Sequence, residues 1–275
     1  MTSPPHGLAI DVGNTNVVVG VFQADALEAT WRLHTNQEKT ADEYGVLIEN
    51  LLEQQGLEPS QIGQAAICSV VPPLTSHFLD LCRQFFGVEA WLLEPVVQEV
   101  MAIEYDNPAE VGADRIANAI ALREIYGAPG IVVDLGTAIT VDAVSPQGTY
   151  LGGAIAPGIL TSLDALFGRA ARLYPVELSR PPFVIGRNTV DSLRSGTVFG
   201  FAGMIEALVR RCKEELRGAP VVVATGGLAP LICESLNCID HTDPHLTLKG
   251  LVIFARSRQA ARSRKGRQVA KRPRR

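Results

Sequence analysis

Two acidic turns in this chain carry more chemistry than a turn requires. Asp11-Val12-Gly13-Asn14-Thr15 follows the apolar run Leu8-Ala9-Ile10, and Asp134-Leu135-Gly136-Thr137 follows Ile131-Val132-Val133. Each supplies a carboxylate, then a glycine, then a hydroxyl, before a second β-rich run, Val17 to Phe22 and Ile139 to Val144. Glycine lets backbone N–H groups approach an oxyanion closely, and the hydroxyl donates to it. The carboxylate can hold a cation that screens phosphate charge. A single Asp-x-Gly is common turn chemistry. Two copies in one strand context imply a duplicated domain with a phosphate-handling cleft between its halves.

The elements that must position these turns read as strands followed by helices, twice. Leu8–Ile10, Val17–Phe22 and about Ala29–His34 form an antiparallel meander, and Thr40 opens a helix with the capping box Thr40-x-x-Glu43. Tyr44, Leu47, Ile48, Leu51 and Leu52 give that helix its apolar face. Ala65–Ser69 reads as a buried strand, Thr75–Phe86 as a helix and Ala90–Leu93 as a short strand. A long helix near Gly112–Tyr126 leads to the second set: Ile131–Asp134, a hairpin to Val144, a strand near Tyr150–Gly152 and a helix from about Ile159. Thr189 to about Leu216 is helical with a break expected near Gly196, Gly200 and Gly203, whose helix propensity is poor. The strand Val221–Ala224 runs into Thr225-Gly226-Gly227, and Leu248–Arg256 closes the fold. The order predicts an α/β protein of two similar lobes: residues 1–117 as an N-terminal lobe, 118–255 as a C-terminal lobe and 256–275 as a disordered basic tail.

Composition bounds the function. Of 275 residues, 47% are hydrophobic and 20% charged, enough to build a sizeable core. No apolar run reaches membrane-spanning length, and Met-Thr-Ser-Pro-Pro-His lacks the features of a secretion signal, so a cytoplasmic location is expected. Five cysteines without a C-x-x-C pair read as reduced thiols. The net charge of −4 hides an asymmetry: from Arg256 onward there are ten Lys/Arg and no Asp/Glu, leaving 15 bases against 29 acids before it. Such a tail could touch nucleic acid, fold back on the acidic body, or simply solubilise.

No P-loop signature, no G-x-G-x-x-G after the first strand, no metal-ligand spacing of His and Cys and no serine nucleophile elbow is present. Asp114-Arg115, just after Gly112, forms a second candidate centre. A guanidinium there could fork a substrate carboxylate and the aspartate could take a hydroxyl proton, or the two could be a surface ion pair. Thr189 could contact a ligand or cap its helix. Asp134 could hold Mg²⁺ or another cation, and Gly226-Gly227 could pass beneath an adenine ring or be a plain strand-to-helix turn.

Together, Asp11-x-Gly-Asn-Thr15, Asp134-x-Gly-Thr137 and Thr225-Gly226-Gly227 resemble the phosphate and adenosine motifs of the acetate and sugar kinase, Hsp70 and actin superfamily. Tyr105-Asp106-Asn107-Pro108, Val111-Gly112-Ala113-Asp114-Arg115, Gly152-Gly153-Ala154-Ile155-Ala156-Pro157-Gly158 and Gly186-Arg187-Asn188-Thr189 resemble type III pantothenate kinase. The resemblance runs from about Leu8 to about Ala255 and implies two ribonuclease H-like lobes with an interlobe ATP cleft. It implies ATP-dependent phosphorylation of pantothenate, with Asp114 as general base. Asp11, Val12, Gly13, Asn14, Thr15, Asn16, Val17 and Val18 would contact ATP with Mg²⁺, and Thr137 would reach its phosphates. Tyr105, Gly112, Ala113, Asp114, Arg115 and Thr189 would surround pantothenate, and Asp134 would hold K⁺ or another monovalent cation such as NH₄⁺. The resemblance further implies a homodimer, for which the glycine-spaced helix is a candidate interface. A rival expectation from another class is a transcription accessory factor of the same fold that uses the basic tail; the intact ATP and substrate motifs favour the enzyme.

Overall fold

The central strands form where the sequence is a continuous apolar run. The computed structural model describes residues 6–95 and 100–270. The first sheet holds β1 (His6–Val12), β2 (Asn16–Gln23), β3 (Ala26–His34), β4 (Ile62–Ser69) and β5 (Trp91–Leu92), in the order β3-β2-β1-β4-β5. The second holds β6 (Gly130–Leu135), β7 (Ala138–Val144), β8 (Tyr150–Pro157), β9 (Val221–Thr225) and β10 (His241–Thr242), in the order β10-β9-β6-β7-β8. Both follow one plan. An antiparallel meander lays down three strands, and the chain then returns to pair a strand in parallel with the first.

By internal contacts the chain divides into two compact units: Met1–Met101 with Asn107–Ala121 and Thr247–Arg275, and Ala102–Asp106 with Leu122–Leu246. In the first unit, Leu8, Ile10, Val12, Val17 and Val19 share a core with Tyr44, Ile48 and Leu52 of α1 (Ala41–Gln54) and with Leu74, Phe78 and Leu81 of α2 (Pro72–Phe86). The capping box of α1 is formed as expected, with Thr40 Oγ1 accepting from Glu43 N–H and Glu43 Oε2 accepting from Thr40 N–H. α2 starts earlier than predicted, with Pro72 at its first position where a missing N–H costs nothing. α3 (Ala113–Ala121) continues as one π turn over Leu122–Tyr126.

In the second unit, Ile131, Val133 and Leu135 pack with Ile159 and Leu163 of α4 (Ile159–Arg169) and with Val198, Ala202, Ile205 and Val209 of α5 (Thr189–Glu215). The break expected in α5 does not occur. Its 27 residues are continuous, because burial of that apolar face outweighs about 1 kcal/mol of lost propensity per glycine. A short helix, α6 (Ala229–Cys233), follows β9, so Gly226-Gly227 does join a strand to a helix.

The closing helix α7 (Leu246–Ala270) also departs from expectation. The sequence division assigns its start to the second lobe and disorder to everything from Arg256; instead it clusters with the first unit and stays helical through Ala270. Leu248 lies against Gly20 of β2, Thr247 Oγ1 donates to Asn118 Oδ1 of α3 at 2.8 Å, and Arg256 pairs with Asp25. Arg258 stacks over the Trp91 ring, 5.6 Å from its centroid. These anchors, with the good helix propensity of Ala, Arg and Gln, carry the helix beyond the apolar part of its sequence. Residues 271–275 of the basic segment lie outside the described residues.

One link inside the second unit has a pH signature. Tyr126 donates its hydroxyl to Asp243 Oδ2 at 2.9 Å. Burial first, and then that carboxylate, push the Tyr126 phenol up from 10 to about 12. The folded chain therefore keeps a proton that the unfolded chain releases near 10, so this contribution to stability falls as pH rises from 10 to 12. Denaturant titrations should show Tyr126→Phe less stable than wild type by about 1 kcal/mol at neutral pH. That gap should close across the same alkaline window, and a gap independent of pH would refute the link.

Candidate active site

The first acidic turn is built by the meander and locked from outside it. Asp11 sits at the penultimate position of β1, opposite Val18 of β2 and opposite Cys68 of β4. Alternation buries Val12 and Val17 completely and leaves Asp11 and Val18 half-buried. Val12 and Val17 thus belong to the core, and a ligand would meet only their backbone. Gly13 N–H donates to the Asn16 carbonyl at 3.0 Å. Thr35, just beyond β3, donates its hydroxyl to the Gly13 carbonyl at 2.7 Å and its N–H to the Thr15 carbonyl at 3.0 Å. Two carbonyls of the turn are therefore satisfied internally, while Asn14 and Thr15 remain exposed.

The second centre of the first unit opens α3. Gly112 accepts from both Arg115 N–H and Ile116 N–H, and Asp114 Oδ1 accepts from Arg115 N–H at 2.8 Å. Asp114 is half-buried and Arg115 only 7% exposed, so the pair is not the surface ion pair that the sequence left open. A guanidinium taken that far from water requires anionic or carbonyl partners. A bare Cβ position at Gly112 would collide with Asp114 Oδ1 and lie 3.6 Å from Val70 Cγ1, so the start of α3 faces the end of β4. A groove of about 340 Å³ runs there, lined by Ser69, Val70, Glu94, Glu110, Gly112 and Ala113 among others. Cys68 marks the neighbourhood shared by the two carboxylates. Burial raises its thiol well above the ordinary range, and the charges of Asp11 and then Asp114 raise it further.

The second acidic turn repeats the first in the other unit. Asp134 is the penultimate residue of β6, paired with Thr140 of β7 and Thr225 of β9. Gly136 N–H donates to the Ala138 carbonyl at 3.1 Å. Here the outer lock comes from the start of α4: Gly158 N–H and the Thr161 hydroxyl both donate to the Thr137 carbonyl, at 3.1 and 2.9 Å. The Thr225-Gly226-Gly227 segment lies on this turn. Gly226, at φ +94°, passes so close to the Leu135 backbone that no side chain could be fitted there.

Tyr105 lies in the second unit, in a segment tied to β8. Ile103 bridges to Tyr150, Glu104 N–H donates to the Tyr150 carbonyl and Tyr150 N–H donates to the Ala102 carbonyl. The Tyr150 hydroxyl in turn donates to Asp142 Oδ1 at 2.8 Å; Asp142 is fully buried and also accepts from Thr140. The Tyr105 ring rests on Gly152, whose φ of +107° accompanies a slip of register between β7 and β8. Thr189 is the first residue of α5 and exposed; the cap is Asn188, whose Oδ1 accepts from Asp191 N–H at 2.9 Å. The capping role considered for Thr189 therefore falls to its neighbour. Thr189 lines, with Arg187, Asn188 and Ser192, a cavity of about 520 Å³. Among the described residues no group of three or more His, Cys, Asp or Glu is arranged to hold a metal ion.

Residues 7–211 match the family model of type III pantothenate kinase. The type III pantothenate kinase of Moorella thermoacetica is 49% identical over 251 residues, covering 91% of this chain and 99% of its own. The chain belongs to the type III pantothenate kinase family. A second family member, from a Roseiflexus species, is 50% identical over 247 residues, with 90% and 97% coverage. Among solved structures, a Campylobacter jejuni protein described as a Baf family transcriptional activator is 23% identical, covers 93% of this chain and 99% of its own, and superposes with a TM-score of 0.58. That last likeness shows the two-lobed fold shared with this type III pantothenate kinase chain, and nothing of its activity.

Three residues that shape these turns escaped the sequence reading, Thr35, Cys68 and Thr161, and Gly152 was read only as part of a strand and a motif. Thr35 and Thr161 act through hydrogen bonds to distant turns, which no local pattern announces. Cys68 had a signal, since a buried strand returning parallel to β1 must place one residue beside Asp11. Gly152 tests the Tyr105 platform. Gly152→Ala forces a side chain into positive φ and into the Tyr105 ring, and should cost about 1–3 kcal/mol in chemical denaturation. In a Tyr105→Ala background the penalty should shrink to its backbone part; an unchanged penalty would mean that the ring is not what Gly152 accommodates.

Proposed function

We propose that this chain is an ATP-dependent pantothenate kinase that forms 4′-phosphopantothenate, the first step of coenzyme A biosynthesis, in the cytoplasm. The observation that carries the site assignment is the convergence, in one unit, of the Asp11 turn and the Gly112–Arg115 turn on the end of β4. One turn offers phosphate-type chemistry and the other a carboxylate beside a buried guanidinium, which are the two halves of a phosphoryl transfer to a hydroxyl acid. Kinship at about half identity over nine-tenths of the chain supports pantothenate as that acid. Among the described residues no helix is long and apolar enough to cross a membrane.

In this reading the residues Asp11 to Val18 receive the ATP β- and γ-phosphates, the core residues among them through backbone alone, and Thr137 adds a hydroxyl. Mg²⁺ fits this donor set, because it is commonly held through one or two carboxylates and the phosphates themselves and needs no cage of protein ligands. Asp11 would hold it, and bound there it would neutralise charge on the transferring phosphoryl group. Asp134 would hold K⁺; its carboxylate lies 3.5 Å from a Cβ position at Gly136, turned over its own turn. Arg115 forks the pantothenate carboxylate, and Tyr105, Gly112, Ala113 and Thr189 complete the substrate contacts. Asp114 accepts the proton of the primary hydroxyl as that oxygen bonds to phosphorus and ADP departs.

Homodimer formation belongs to the same proposal. Phe183, Val184 and Ile185 are 73%, 69% and 82% exposed in sequence just before α5. Gly196, Gly200 and Gly203 form an exposed face of that helix on which nothing described lies within 4 Å of their Cβ positions. Apolar surface of this kind beside small residues suits a second copy of the chain. Sedimentation velocity should give a dimer for wild type and a shift toward monomer for Ile185→Arg; a monomeric wild type would end this part of the reading.

A coupled assay of ADP release tests the chemistry. Turnover should require pantothenate, and Asp114→Asn should lower kcat by ~10²–10⁴ while the protein stays folded by circular dichroism. Wild-type kcat in that variant would remove Asp114 as the base. Replacing K⁺ by Na⁺ in the same assay should lower the rate, and equal rates would retire the monovalent-cation role of Asp134.

A further inference from the structure

The two carboxylates of the first unit meet a group that the proposed chemistry does not use. Cys68 is fully buried near the C-terminal end of β4, and its register partner on β1 is Asp11. Its Sγ donates to Asp11 Oδ1 at 3.3 Å. The chain that follows is held on several sides. Val70 N–H donates to the Val12 carbonyl at 3.0 Å, Ser69 Oγ accepts from Val71 N–H at 3.2 Å, and Thr75 donates its hydroxyl to Ser69 Oγ at 2.9 Å. Val70 in turn faces the Gly112–Asp114 turn. The thiol is thus a fixed donor anchored in the sheet. The second unit repeats the placement with a different side chain: the register partner of Asp134 on the parallel strand is Thr225, 2% exposed. On the parallel strand beside each acidic turn stands one small, neutral side chain with a hydrogen to give.

We propose that Cys68 is a positioning residue for nucleotide binding, its S–H holding the Asp11 carboxylate in the orientation that serves the phosphate-bound cation. The inference deepens the kinase reading and rests on Asp11 meeting Mg²⁺ and phosphate. The choice of donor follows from charge. A lysine or arginine at this place would neutralise Asp11 and compete with the cation for it. An apolar side chain would remove a donor from Oδ1 and loosen its rotamer. A thiol is a weak, neutral donor, so it orients the carboxylate and leaves its charge for the metal. It also adds no charge to a neighbourhood that already contains Asp114.

The test compares Cys68→Ala and Cys68→Ser with wild type by calorimetry, using a non-hydrolysable ATP analogue, with Mg²⁺ and with EDTA, and no pantothenate. Cys68→Ala should bind the Mg²⁺ analogue about 5- to 20-fold more weakly, at or below the low end for one hydrogen bond to a charged group because a thiol is a weak donor. Cys68→Ser should recover most of that loss, and in EDTA all three proteins should bind alike. Steady-state kinetics should place the effect in the KM for MgATP rather than that for pantothenate. Equal impairment of the alanine and serine variants would overturn the proposal, as would a loss that persists in EDTA or a fall in melting temperature alone. A wild type that binds the Mg²⁺ analogue, shows these differences and yet turns over no pantothenate would uphold the role of Cys68 and sink the substrate.

Discussion

A strand covered on both faces and paired on both edges can carry a charge only where it ends or where, as at Asp142 of β7, neighbouring hydroxyls satisfy it. β1 and β6 are such strands, each between an antiparallel neighbour and a parallel one. The central stretch before the carboxylate must be apolar, and the runs Leu8-Ala9-Ile10 and Ile131-Val132-Val133 comply. At the end, the carboxylate is half-buried beside a turn. The phosphate-type turn is therefore where the sheet runs out. Its position follows from the same pairing that fixes the core.

The two units solve the problem of holding that turn still with different parts. In the first, a threonine beyond β3 closes over the turn carbonyls; in the second, the opening residues of α4 do so. The neutral neighbour on the parallel strand is a thiol in one and a threonine in the other. What the duplication keeps is the architecture of a charge at a strand end with a small uncharged residue beside it. What it varies is which side chain supplies each bond.

Much of this was legible in the sequence because it is governed by short-range rules. Apolar runs ending in acidic turns placed the hairpins, and Thr40 and Glu43 announced α1. The failures have one physical character: they concern residues whose behaviour is set by a distant partner. Gly196, Gly200 and Gly203 predict a broken helix by propensity, yet Val198, Ala202, Ile205 and Val209 are buried against the second sheet and hold α5 straight through them. The basic end of α7 reads as disordered by composition, yet Asp25 and Trp91 anchor its first turns. Cys68 was set aside among five unremarkable thiols because its importance lies in a strand 57 residues earlier.

The return of α7 to the first unit has a consequence for how the protein is made. The second unit is drawn almost entirely from one continuous stretch, Leu122–Leu246, whereas the first is assembled from three, the last beginning at Thr247. On a ribosome that adds about 5–20 residues each second, domains complete in the order their segments emerge. The later-encoded unit, which ends at Leu246, therefore has all its segments before the earlier-encoded one does, although the strands of the latter emerge first. The earlier-encoded one must wait, with Gly20 of β2 and the Ala117 backbone of α3 uncovered, until the helix that lies on both has left the exit tunnel. The half of the molecule that bears Asp11 and Asp114 is the last to close.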